Sequence, residues 1–157
     1  MCIRDRYNGE CVKISSGYVV GGNGSAADIV GVLNGIFFNA ATTLKPTFSN
    51  FYKATITPAN SEDTTAFVID DPFQQYVVGA DDATGVTTIL ETYDMNSSAG
   101  SDTTCKSSST LAIGTTSQDG KQFRMLRSAE DPENEDATAV RHSVVVVSNL
   151  NSFNGHN

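Results

Sequence analysis

The stretch Val140-Arg141-His142-Ser143-Val144-Val145-Val146-Val147-Ser148-Asn149 holds four consecutive valines. A β-branched side chain is restricted against a helical turn but packs well on a pleated surface, so this run reads as a strand that is apolar on both faces. Shorter segments of the same character precede it. Glu10-Cys11-Val12-Lys13-Ile14 alternates like a half-buried strand, Ser15-Ser16-Gly17 reads as a turn, and Tyr18-Val19-Val20 as a second strand. Gly21-Gly22-Asn23-Gly24 reads as a loop.

Ile29 to Phe38 is the most apolar segment, and helix and strand compete there. Gly31 and Gly35 would each cost a helix about 1 kcal/mol, whereas Ile, Val and Phe suit a buried strand, so a strand is expected. Thr47 to Thr57 is β-branched and aromatic and ends at Pro58. Ala66-Phe67-Val68-Ile69 reads as a strand stopped by Asp70-Asp71-Pro72, because proline cannot donate to a sheet ladder. Gln74 to Ala80 is a further strand, Asp81-Asp82-Ala83-Thr84-Gly85 a turn, and Val86 to Tyr93 has room for a helical turn. Asn96 to Ser109 is a polar loop. Thr110 to Thr116 and Gln122 to Leu126 suggest a hairpin across Gln118-Asp119-Gly120, with Asp-Gly as the turn signal. Glu130 to Asp136 is an acidic loop.

The chain has 157 residues, enough for one domain with its own core. Hydrophobic residues make up 39% and charged residues 18%, and the remainder is rich in Ser, Thr, Asn and Gly, which favour strands and turns. The fold expected is all-β (mainly β): a compact β-barrel or sandwich of short, mostly antiparallel strands with long polar loops. The apolar strand positions predict a core of Val12, Ile14, Ile29, Val30, Val32, Phe37, Phe67, Ile69, Val77, Leu111, Ile113, Phe123, Leu126, Val144 and Val146. Met1-Cys2-Ile3-Arg4-Asp5-Arg6 resembles a short non-native leader of the kind found on proteins translated from assembled environmental reads. Residues 1–6 are therefore set apart from a single domain over 7–157.

Net charge is −8 and the sequence pI about 4.5. An acidic surface repels phosphate, which argues against nucleic acid as a partner. No apolar run is long enough for a membrane-spanning helix, so no membrane partner is expected. Cys2, Cys11 and Cys105 form neither an even set nor a Cys-x-x-Cys pair, and read as incidental or buried thiols. Gly22-x-Gly24-x-x-Ala27 imitates a dinucleotide fingerprint, but the first acid after Asp28 is Glu62, so a plain loop is expected and no cofactor. His142 and His156 are the sole histidines, and neither stands beside a nucleophile motif, so no catalytic residue is assigned. Asp70, Asp71, Asp131, Glu133 and Glu135 offer oxygens to a hard cation such as calcium, but without EF-hand spacing. Solvated acidic turns are the plainer reading.

Several segments, taken in order, resemble a group of virion structural proteins of marine tailed bacteriophages. They are Gly9-Glu10-Cys11-Val12-Lys13 with Gly17, Ile29-Val30-Gly31-Val32-Leu33-Asn34-Gly35-Ile36, and the aromatic Phe48-Ser49-Asn50-Phe51-Tyr52. Ala66-Phe67-Val68-Ile69-Asp70-Asp71-Pro72 is the most specific of them. Asp131-Pro132-Glu133-Asn134-Glu135 followed by Val144 to Asn149 completes the series. The family has a longer N-terminal arm, and Ser148-Asn149-Leu150-Asn151 departs from its usual basic residue, asparagines and histidine. The resemblance implies assembly and not catalysis. It points to a head decoration protein on the outer capsid surface, with the major capsid protein as partner and a homo-oligomer, a trimer, as the working form. A tail component, or a secreted or cell-surface β-sandwich binding module, is the alternative. Gly31, Gly35, Asp70, Asp71, Pro72, Asp131, Pro132, Asn134 and Glu135 are then structural motif positions.

Overall fold

The computed structural model describes residues 5–22, 28–96, 100–114, 120–132, 136–138 and 142–149. Glu133, Asn134, Glu135, His156, Cys2 and the turn residues Gln118 and Asp119 lie outside them. The described chain forms strands β1 (Cys11–Ser15), β2 (Tyr18–Gly21), β3 (Gly31–Asn39), β4 (Pro46–Ser49), β5 (Thr65–Ile69), β6 (Gln75–Gly79), β7 (Thr92–Tyr93), β8 (Met95–Asn96), β9 (Thr110–Leu111), β10 (Phe123–Ser128) and β11 (Ser143–Ser148). Short 3-10 turns at Ala59–Ser61 and Val86–Thr88 are the helical elements among the described residues.

All strand pairs are antiparallel. Ser16 and Gly17, at φ 50° and 82°, make the two-residue loop that joins β1 to β2 with the twist a hairpin needs. β3 then organises a five-stranded sheet. Val32 pairs Cys11 on one side and Ile69 on the other, and Ile36 pairs Ser49 and Ala66, so β1 and β4 follow one another along one edge of β3 and β5 takes the opposite edge. β4 ends where the Ser49 hydroxyl accepts the Phe51 N–H at 3.3 Å and donates to the Phe51 carbonyl at 2.7 Å, closing a local turn. The strand character of Thr47 to Thr57 is therefore realised only at its start.

The second sheet has the order β6-β11-β10-β7, and β8 and β9 form a third, small one. Both large sheets remain open, so the sandwich is the architecture adopted. The valine run is its central strand β11, paired on both sides. The expected hairpin of β9 with β10 does not form. β9 pairs β8, and β10 pairs β11 and β7. The Asp81 carboxylate accepts the Ile113 N–H at 2.6 Å and the Gly114 N–H at 3.3 Å, diverting the chain after β9 away from a ladder with β10.

One cluster joins the sheets: Cys11 and Val32 from the first, with Ile29 just before β3; Tyr93, Phe123, Met125, Val144 and Val146 from the second; Met95 and Leu111 from the third. Of the expected core, Val12, Ile29, Val32, Leu111, Phe123, Val144 and Val146 are buried, and Val30, Ile113 and Leu126 are half-buried. Ile14, Phe37, Phe67, Ile69 and Val77 are exposed, which corrects five assignments. Ile14 lies near the hairpin tip and Val77 on the outer face of an edge strand. The phenylalanines have a different cause, described below. Asp5 and Arg6, set apart by their sequence, take part in the fold. Arg6 exchanges backbone hydrogen bonds with Tyr52, and Asp5 accepts the Ala54 N–H at 2.9 Å.

Buried polar groups cross-link the layers. Gln122 is fully buried. Its Oε1 accepts the Met95 N–H at 3.1 Å and its Nε2 donates to the Gly22 carbonyl, bridging the two large sheets. Gln122→Leu fills the same space but strands both backbone groups away from water. It should lower unfolding free energy by about 2–4 kcal/mol in urea denaturation, because each orphaned buried group costs roughly 1–3 kcal/mol. A loss below 1 kcal/mol would mean that water replaces the amide.

Candidate functional site

β3 contains a bulge. The pairing with β5 runs Leu33 to Val68 and then Gly35 to Phe67, so Asn34 is an extra residue that resets which side chains face which way. Beyond it Gly35 and Phe37 share the face of Val32. Phe48 stands opposite Phe37, and Phe67 and Ile69 alternate along β5 on that same face. Val32 is 8% exposed, covered by the second sheet, but Phe37 is 37%, Phe67 46% and Phe48 56% exposed. The second sheet thus covers the β1 end of this face and leaves the far end open.

The open end is an aromatic platform. The Phe48 and Phe67 rings lie 6.0 Å apart and tilted by 44°. Gly35, at φ 153°, runs beneath them, and a Cβ there would meet Phe48 Cζ at 2.5 Å. None of β3, β4 and β5 carries a charged residue, in a chain with 28 charged residues in all, the sum of 10 basic and 18 acidic. Contiguous exposed apolar surface of this kind marks an interaction site, and the buried centres of protein interfaces are depleted in charge and enriched in aromatics. Sequence reasoning placed Phe37 and Phe67 inside because alternation within a strand shows which residues share a face, not what covers that face.

Of the other predicted positions, Gly31 and Asp71 have local structural parts. Gly31 allows β5 to close on β3, since a Cβ there would sit 2.0 Å from the Ile69 carbonyl oxygen. The Asp70-Asp71-Pro72 corner carries the chain from the first sheet to the second, and Asp71 Oδ1 accepts the Phe73 N–H at 2.8 Å. Asp70, Asp71 and Asp131 are exposed, as is Pro132. Among the described residues no group of three or more His, Cys, Asp or Glu side chains is arranged to hold a metal ion. Residues 23–27 of the glycine motif lie outside the described part, and the described chain resumes at Asp28 and enters the strand β3 at Gly31, where a dinucleotide motif would call for a helix.

Cys11 and His142 are both buried. Burial pushes the Cys11 thiol up to about 12, which keeps it protonated and unreactive. His142 is fully buried at the start of β11, with Nε2 and Ser128 Oγ at 2.9 Å. On the surface, Asp102 receives Lys53 Nζ at 2.5 Å and the Tyr7 hydroxyl at 2.8 Å. The Tyr7 phenol is accordingly pushed up to about 12, chiefly by its bond to Asp102, while Lys53 and then Tyr7 hold that carboxyl below the usual range. Tyr7 also stacks on Phe51 at 6.3 Å, pinning residues 5–8 to the domain.

Compared with protein-family models, with curated proteins and with solved structures, the chain matches none. The functional reading therefore rests on the residues themselves.

Phe67→Ala should cost about 1 kcal/mol in thermal or urea unfolding, well short of the 3–5 kcal/mol of a buried ring. A larger loss would place that ring inside a packed core. Asp71→Ala removes the turn's side-chain acceptor and should also cost about 1 kcal/mol. Unchanged melting together with loss of calcium binding by calorimetry would instead make the corner a metal site.

Proposed function

We propose that this chain is a virion structural protein of a tailed bacteriophage, acting as a head decoration protein that stabilises the outer surface of the capsid. The observation that carries this reading is the charge-free phenylalanine platform of β3, β4 and β5, an exposed surface built for contact. The family resemblance along the sequence supplies the setting. A small β-domain that buries such a face on neighbouring shell subunits binds the assembled state in preference to the dissociated one, and so stabilises it by mass action. Self-association as a trimer would place three copies of the platform around a capsid symmetry axis. The net charge of −8 suits a surface away from packaged DNA.

The test adds the protein to expanded, undecorated capsids and measures binding and heat resistance. The expected result is saturable binding and a raised disruption temperature. A Phe48→Asp, Phe67→Asp double variant should keep its fold by circular dichroism but lose binding. A protein that ignores capsids and co-purifies with tails would be a tail component, and absence from virions altogether would sink the reading.

A further inference from the structure

β6 is the free edge of the second sheet, and its hydrogen-bonding parity is set at its C-terminal end. The Ala80 N–H donates to the His142 carbonyl at 2.8 Å, making that pair a hydrogen-bonded one. By alternation Val78 and Tyr76 turn their backbone groups toward β11, while Gly79 and Val77 turn theirs outward. Asp81, next in the outward series, donates to the Leu111 carbonyl at 3.0 Å. The parallel Ala80–Leu111 bridge takes up the Gly79 carbonyl as well, so the outward groups with no such partner among the described residues are the N–H and C=O of Val77 and the N–H of Gly79.

Those unpaired groups line a groove. One wall is residues 77–79, the other includes Asn8, Lys106 and Ser109, and the volume is about 330 Å³. The Ala80–Leu111 bridge closes one end. Behind it lies a gap of about 100 Å³ between the sheets, bounded by Cys11, Tyr76, Phe123 and Val146. Groove and gap share Gly9, Val77 and Val78 as walls, so they adjoin, and Gly9 contributes no side chain to separate them.

We infer that β6 receives an extended polypeptide segment of a partner protein, which adds a strand to the second sheet and places an aliphatic side chain in the gap. The outward N–H and C=O of Val77, with the N–H of Gly79, are complementary to another extended backbone, and alternate side chains of an added strand share the inner face of Val78 and Tyr76. A branched aliphatic group matches an apolar gap of that size, whereas a carboxylate there would be buried without a partner. The site is separate from the phenylalanine platform and does not depend on the virion reading.

The probe is a fluorescein-labelled peptide of alternating threonine and valine with a central leucine, and its twin with aspartate at the centre. Fluorescence anisotropy with the full chain should show saturable binding of the leucine peptide, weakened roughly tenfold or more for the aspartate twin. Val77→Pro removes an outward N–H while sparing the bonds to β11, an edge position where proline is tolerated. It should keep the fold and lose the peptide. Should that variant fail to fold, Val78→Phe, which fills the gap from within, gives the same readout. Equal binding of both peptides, absence of saturation, or binding indifferent to the variants overturns the inference. So does a dimer without peptide that Val77→Pro dissolves, since the edge would then belong to a second copy.

Discussion

The close approach of β5 to β3 is the constraint on which the first sheet depends. At Gly31 the Ile69 carbonyl occupies the space a Cβ would need, and at Gly35 the Phe48 ring does the same. Gly31 accepts no larger residue without parting β3 from β5, while at Gly35 the Phe48 ring would have to swing aside. Because β3 carries β1, β4 and β5, separation there would undo the whole five-stranded sheet. The Asn34 bulge lies between the two glycines and decides which face Phe37 and its neighbours present.

From that constraint the two surfaces follow. Before the bulge, Cys11 and Val32 meet the second sheet and share its core. After it, the same face runs past the edge of that sheet and stays apolar and uncharged. On the opposite face of the first sheet Val12, Leu33 and Ile36 are buried. The long β4–β5 connection, fastened by the Arg6–Tyr52 bridge and by the Ala41 N–H on Thr57 O, brings buried Tyr52 and Ala59. The first sheet is thus covered on one face along much of β3 and on the other only at one end, an asymmetry that leaves material for contact with another molecule.

Electrostatics are local and modest by comparison. Arg6 meets Glu10 at 3.3 Å, and burial raises the Glu10 carboxyl despite that cation. Lys121 reaches Asp94 at 2.6 Å in a similarly half-dry site. These pairs fasten the N-terminal segment and the start of β10, while the acidic excess stays in turns and loops.

Much of the fold was legible in the residues, for a physical reason. Strand and turn formation are local: β-branched runs, the Ser16-Gly17 turn, the helix-averse Gly31 and Gly35, and the Asp-Asp-Pro stop each act through their own backbone. The class, most strand positions and the structural role of the Asp71 corner follow from them. The pairing of β9 was not legible, because it is decided by the Asp81 carboxylate 32 residues away in sequence. The candidate site was misread for the same kind of reason. Alternation groups Phe67 with Ile69, but burial depends on how far the second sheet extends, and on a one-residue bulge that shifts parity in β3. What the sequence by itself determined is the set of strands and the residues that share each face. Which face is covered, and therefore where the molecule can meet a partner, is decided only when the sheets pack, because coverage belongs to pairs of elements and not to either one alone.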